Sequence, residues 1–228
     1  MTKLIQHFAQ NKKGNDYVVG DIHGMFKKLY KILESINFNF ENDRLFSVGD
    51  LCNRGPDSTD IITWLTYPWF FPVMGNHEKI ILLYEAGRYN DKSLSSVGGD
   101  WWFSLNKKSK NIIVNAYQKL PIAIEVETDT GLVGIIHANC PHADWNKLSE
   151  VFTGMNSFKM INKALWSMDS TLYNDVIQNA KAVVVGHVTQ SEYTINGNVH
   201  LIDTGAVYPE GHFTILELDS MKNIKELL

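Results

Sequence analysis

Cysteine, proline, net positive charge and long apolar runs are all scarce in this sequence, and each shortage excludes a class of protein. Two cysteines, Cys52 and Cys140, cannot build a disulfide framework or a four-thiolate zinc knuckle, so both are expected as small buried fillers in a reducing compartment. The most apolar stretch, WLTYPWFFPVM over residues 64–74, is short and interrupted by Pro68 and Pro72, which argues against a membrane span. The opening residues, MTKLIQHFAQNKKGND, lack the apolar centre of a signal peptide, and a cytoplasmic location is expected. A formal charge of −4 with no extended Lys/Arg block gives no sign of a nucleic-acid-binding surface.

What is present reads as an ordinary globular chain: 44% apolar and 20% charged residues over 228 positions, enough for one full core and, by expectation, a single domain over 1–228. Short β-branched or aromatic runs that end abruptly predict strands at Tyr17–Gly20, Leu45–Val48, Phe70–Met74, Ile122–Glu127, Leu132–Ile136, Ala182–Val185, Val199–Ile202 and Phe213–Leu218. Phe26, Leu29, Leu33 and Ile36 recur at helical spacing, and Asp60–Trp64, Lys79–Tyr84 and Ile112–Leu120 also read as helical. Glu78 is placed to open a helix, where its charge suits the dipole. Strand and helix alternate early and strands cluster late, which predicts an α/β fold with two central β-sheets flanked by helices.

In such folds ligands gather beyond the carboxyl ends of strands. The residues at those ends are Gly20-Asp21-Ile22-His23-Gly24, Gly49-Asp50, Gly75-Asn76-His77-Glu78, His137 and Gly186-His187. Each apolar run is followed at once by a side chain able to bind metal. Carboxylate and amide oxygens mixed with imidazole suit Mn²⁺, Fe or Zn²⁺, and the lack of thiolates argues against a structural zinc site. The ligand set of two Asp, three His and one Asn is too large for one catalytic ion, which must keep a position open. It suits two divalent ions sharing a carboxylate, an arrangement that clamps both oxygens of an in-line displacement at phosphorus and ionises a bridging water near neutral pH.

GDIHG (20–24), GDLCNRG (49–55), GNHE (75–78), the isolated His137 in IIHANCP and GH (186–187) together resemble the phosphoprotein phosphatase branch of the calcineurin-like metallophosphoesterases. LFSVGDL, TYPWFFPVMGNHE, GGDWWFSL and LIDTGAVY extend the likeness over nearly the whole chain, towards the phage lambda-type phosphatases and their bacterial relatives. The resemblance implies a layered metallophosphoesterase fold and two divalent metal ions, with manganese first among the candidates. It implies that Asp21, His23 and Asp50 hold one ion, and that Asp50 bridges to a second held by Asn76, His137 and His187. It further implies that His77 protonates the leaving alkoxide and that Arg54 grips phosphate oxygens through its planar fork.

The sequence departs from that family's pattern at four places. Asn53 stands where an aspartate normally supports the GNHE histidine, Met74 where an arginine precedes GNHE, Met168 where a second arginine follows the Trp of WxR, and Asn139 where HAD is common. An amide at 53 cannot supply the charge that favours a protonated His77. The expected activity is hydrolysis of phosphoserine- or phosphothreonine-type monoesters on a phosphorylated protein or small phosphoester. The alternatives are a phosphodiesterase or nucleotide phosphoanhydride hydrolase on the same scaffold, or a weakly active phosphate-binding module. Residues 138–170 are expected to cover part of the cleft. The Trp101-Trp102-Phe103 cluster is expected in the core, and His7, His142, His200 and His212 are expected as structural or exposed.

Overall fold

A computed structural model describes residues 4–168 and 176–224. The strands are β1 Ile5–Phe8, β2 Asp16–Val19, β3 Arg44–Ser47, β4 Phe70–Pro72, β5 Ala123–Thr128, β6 Gly131–Ile136, β7 Ala182–Val185, β8 Thr194–Asn196, β9 Val199–Leu201, β10 Ile215–Glu217 and β11 Lys222–Asn223. They form a six-stranded sheet in the order β1-β5-β6-β7-β9-β8 and a five-stranded sheet in the order β11-β10-β2-β3-β4. The helices are α1 Phe26–Ser35, α2 Ile61–Trp64, α3 Asn76–Glu85, α4 Asp91–Ser95, α5 Lys107–Tyr117, α6 Leu148–Thr153 and α7 Ser157–Trp166.

Strand periodicity assigns each side chain to a layer. On β2, Val18 joins one cluster with Phe46, Val48, Ile124, Val126, Val133, Ile135 and Val184, drawn from both sheets. Its neighbours Tyr17 and Val19 point the other way, towards Phe26, Leu29 and Leu33 of α1 and Ile113 and Tyr117 of α5. On β7 the same alternation puts Val184 between the sheets and Val183 and Val185 against Leu148, Phe152, Ala164 and Leu165 of α6 and α7. The result is four layers, helix–sheet–sheet–helix, which is the predicted architecture.

The predicted strands all appear, with no end shifted by more than two residues and Ala182–Val185 unchanged. Three further short edge strands, β1, β8 and β11, are partly exposed and carry no apolar run that would predict them. α3 begins at Asn76, three residues earlier than the expected Lys79, which places Asn76 and His77 on its first turn. α5 likewise starts earlier, capped by the Asn106 side chain accepting from Ser109 N–H. Of the segment 138–170, α6 and α7 pack on the six-stranded sheet, the Trp166 backbone meets His187 at the site, and 169–170 lie outside the described residues. Cys52 and Cys140 are buried thiols. No helix among the described residues is long and apolar enough to cross a membrane.

His200 on β9 is buried beside Tyr193, whose hydroxyl meets its Nδ1. Burial, then the Lys181 charge, pulls its pKa from 6.5 down to about 4. Because the folded value is depressed, His200 stays neutral in the fold while the unfolded chain binds a proton, so stability present above pH 6.5 drains away as pH falls towards 4. Between pH 7 and pH 5 this linkage is worth about 2 kcal/mol. In chelator, the wild-type melting temperature is expected to drop more over that interval than that of His200→Gln; parallel curves would exclude this histidine as a source.

Candidate active site

Five strand ends converge. β2, β3 and β4 run parallel in one sheet, β6 and β7 run parallel in the other, and the loops leaving their carboxyl ends hydrogen-bond to one another. Ile22 N and His23 N donate to Asp50 O (3.1 and 2.7 Å), Gly55 N to His23 O (2.9 Å), and Gly186 N to His137 O (2.7 Å). Among the described residues eight non-glycine positions have positive φ, and five of them are here: His23, Asp50, Asn53, Arg54 and His187. Such backbone costs about 1–2 kcal/mol per residue, so it persists only where surrounding bonds hold it.

Glu78 supplies much of that hold. Fully buried at the third position of α3, it accepts from Asp50 N, Leu51 N and Gly75 N, each at 2.9 Å, and from the Cys52 thiol at 3.4 Å. Asp50 Oδ1 in turn accepts from His77 N at 3.0 Å, which satisfies a further free amide at the start of α3. Burial, then Asp50, raises the Glu78 pKa to about 7 against the pull of those N–H donors. Gly186 is required for a different reason: a Cβ there would lie 2.0 Å from Asp21 Oδ1.

Around Asp50 the side chains form two groups with mutually close ligand atoms: His23, Asp50 and His77, and Asp50, His137 and His187. His23 Nδ1 donates to Cys52 O (3.1 Å) and His137 Nδ1 to Val48 O (2.7 Å), so both rings turn a bare Nε2 inwards. Asp21 belongs to neither group. Its carboxylate accepts from His187 N (3.2 Å) and its Oδ2 stands 3.9 Å from His23 Nε2. The resemblance implies Asp21 on the first ion; the structure sets it beside that group, which includes His77 instead. Arg54 reaches over the same group, with Nη1 2.7 Å from His23 Nε2 and Nη2 3.3 Å from His77 Nε2.

These residues fit divalent cations. Asn76 is the clearest case: with its NH₂ turned inwards, four acceptors surround it, Asp50 Oδ1 and Oδ2 and His187 Nδ1 at 3.1 Å and His137 Nε2 at 2.8 Å. Its oxygen, facing inwards, meets the same two ring nitrogens. Burial pushes His23 down to about 3 and His187 to about 4, so both offer lone pairs at neutral pH. The two carboxyls move in opposite directions. Burial raises Asp21, reinforced by Asp203 and Asp50, whereas at Asp50 three imidazoles and the His77 N–H outweigh burial and hold the group low.

The departures also have places in the structure. Met74 is buried in the core behind the six-stranded sheet, Met168 is 72% exposed, and Asn139 Nδ2 donates to Ser167 Oγ at 3.4 Å. Asn53 Nδ2 donates to His77 Nδ1 at 2.8 Å, and Asn53 Oδ1 accepts from the Trp101 indole at 2.7 Å. Trp102 is core as expected and Trp101 packs against that core with its indole N–H reaching the site, whereas Phe103 is 39% exposed. The Trp101 contact lies 48 residues away in sequence, and no local signal marks it.

A family model for the calcineurin-like phosphoesterases matches residues 17–202. The chain belongs to that family. It is 33% identical over 199 residues to serine/threonine-protein phosphatase 2 of Escherichia coli, covering 83% of this chain and 87% of that protein. A shorter match, 40% over 76 residues, joins it to a symmetrical bis(5'-nucleosyl)-tetraphosphatase of Coxiella burnetii, over 32% of this chain and 25% of that one. A crystal structure of a candidate diadenosine tetraphosphatase shares the fold, with TM-score 0.67, 21% identity, and 97% and 96% of the two chains covered. The chain is thus a metallophosphoesterase with serine/threonine phosphatase homologues.

Replacing Glu78 by Gln sets an amide N–H₂ against backbone donors and is expected to cost about 2 kcal/mol. Urea unfolding in chelator reads this directly; a loss under about 0.5 kcal/mol would deny Glu78 the clamping role.

Proposed function

We propose that this chain, as one domain, is a binuclear metal-dependent phosphatase acting on phosphomonoesters of the phosphoserine and phosphothreonine type. The observation that carries the reading is the position of Arg54, whose guanidinium spans His23 and His77 beside the Asp50 carboxylate. A planar five-donor fork there matches the oxygens of a phosphoryl group. The similarity to the E. coli serine/threonine phosphatase over most of both chains supports the choice of substrate class.

In this reading Asp21, His23 and Asp50 hold one divalent ion, and Asp50, Asn76, His137 and His187 hold the other, with Mn²⁺ proposed ahead of Fe or Zn²⁺. When bound, the ions offset phosphate charge and supply a nucleophilic water at neutral pH. Arg54 orients the phosphoryl group. His77 Nε2 faces the leaving oxygen, and Asn53 sets the direction of that ring. The cytoplasm is the proposed location.

A second reading, hydrolysis of a nucleotide phosphoanhydride or a diester, is favoured by the same site's missing cations. Buried Met74 and exposed Met168 supply no second clamp, and anhydrides and diesters carry less charge per phosphorus. Comparing kcat/KM for p-nitrophenyl phosphate and bis-p-nitrophenyl phosphate with Mn²⁺ separates the two readings, since the leaving group is shared. A monoester preference is expected, with Arg54→Ala lowering it by about 30- to 1,000-fold, equivalent to 2–4 kcal/mol. A diester preference, or an Arg54→Ala variant as active as wild type, would reject the monoesterase reading.

A further inference from the structure

Trp101 is half-buried, and its indole N–H donates to the oxygen of the Asn53 amide at 2.7 Å. That contact fixes which end of the amide meets His77. Trp101 has a donor and no acceptor, so an Asn53 amide turned over would set N–H₂ against N–H. The amide nitrogen therefore stays on His77 Nδ1, 2.8 Å away, and because an amide nitrogen only donates, Nδ1 must accept. The ring hydrogen is left on Nε2.

One other donor approaches the ring, Arg54 Nη2 at 3.3 Å from Nε2. The two donors compete, and position decides between them. Arg54 is exposed and its shorter bond is to His23, so Nη2 can swing off His77 while the guanidinium stays over the site. Asn53 is fully buried, with its loop tied down by Arg54 N to Gly98 O at 3.0 Å, so it cannot. Gly98 itself is held to glycine, since a Cβ would lie 2.6 Å from Arg54 N.

We propose that Trp101 is a positioning residue: by holding the Asn53 amide nitrogen on His77 Nδ1 it presents the ring as an Nε2–H donor, so that phosphoserine- and phosphothreonine-type esters are hydrolysed, but more slowly than aryl esters with a more acidic leaving group. The proposal rests on the phosphomonoesterase reading. In the step concerned, water forms the new P–O bond and releases a proton to solvent. The old P–O bond breaks with its electron pair on the leaving oxygen. Nε2–H hydrogen-bonds to that oxygen but keeps its hydrogen, because giving it up would leave neither ring nitrogen protonated. A phenolate departs readily on those terms, while a serine or threonine alkoxide departs slowly. An aspartate at 53 would behave differently, as its second oxygen can only accept and would draw a hydrogen onto Nδ1.

The test has two arms. Nitrogen-15 NMR of the histidine rings in the metal-free wild type is expected to show His77 with hydrogen on Nε2 and none on Nδ1, and Asn53→Asp is expected to reverse this. With Mn²⁺, kcat/KM for a phosphoserine peptide relative to p-nitrophenyl phosphate is expected to rise about threefold in Trp101→Phe and about tenfold in Asn53→Asp. A merely structural role would lower both substrates alike. Hydrogen on Nδ1 in the wild type, or an unchanged ratio in both variants, would overturn the proposal. Absence of all monoester turnover would instead defeat the functional reading, and the ring spectrum would still judge Trp101.

Discussion

Asp50 sits 2% exposed among three imidazoles and an amide, with Asp21 close behind, and the rest of the molecule is arranged around the difficulty of keeping it there. A buried carboxylate without a cation costs several kcal/mol. Nearby imidazoles and the His77 N–H offset that cost at Asp50, while backbone carbonyls hold His23 and His137 with their bare nitrogens inwards and burial keeps His23 neutral. Lone pairs collected in this way suit divalent ions, and two groups meeting at one carboxylate suit two of them.

The frame that imposes this arrangement is the facing of the two sheets. Val18, Phe46 and Val48 from one and Val133, Ile135 and Val184 from the other interlock, so the ends of β2, β3, β6 and β7 open at the same edge. His23 and Asp50 come from the first sheet's loops, His137 and His187 from the second's. The strained backbone at those ends is stabilised locally, above all by the Glu78 carboxylate that joins the loop after β3 to the start of α3.

Much of this was legible in the sequence for a physical reason. Short buried parallel strands are almost continuously apolar, so their ends show as abrupt changes to Gly, Asp or His. Edge strands β1, β8 and β11 are half exposed and lack that contrast. The start of α3 was hidden because Asn76, His77 and Glu78 are polar residues buried by their roles, which breaks the amphipathic pattern. α6 and α7 escaped notice because their surfaces are mixed, with Phe158 exposed and Leu165 buried on one helix. Trp101 looked like its neighbour Trp102, and nothing local distinguishes an indole that fills space from one that turns an amide.

Calorimetric titration of the metal-free chain with Mn²⁺ tests the central claim most directly, comparing wild type with Asp50→Asn, which keeps the side-chain size and removes the charge. Two ions per wild-type chain and at most one, bound more weakly, in the variant are the predicted result. Two ions bound by Asp50→Asn with wild-type affinity would mean that Asp50 does not join the two groups, and the account built on it would fail.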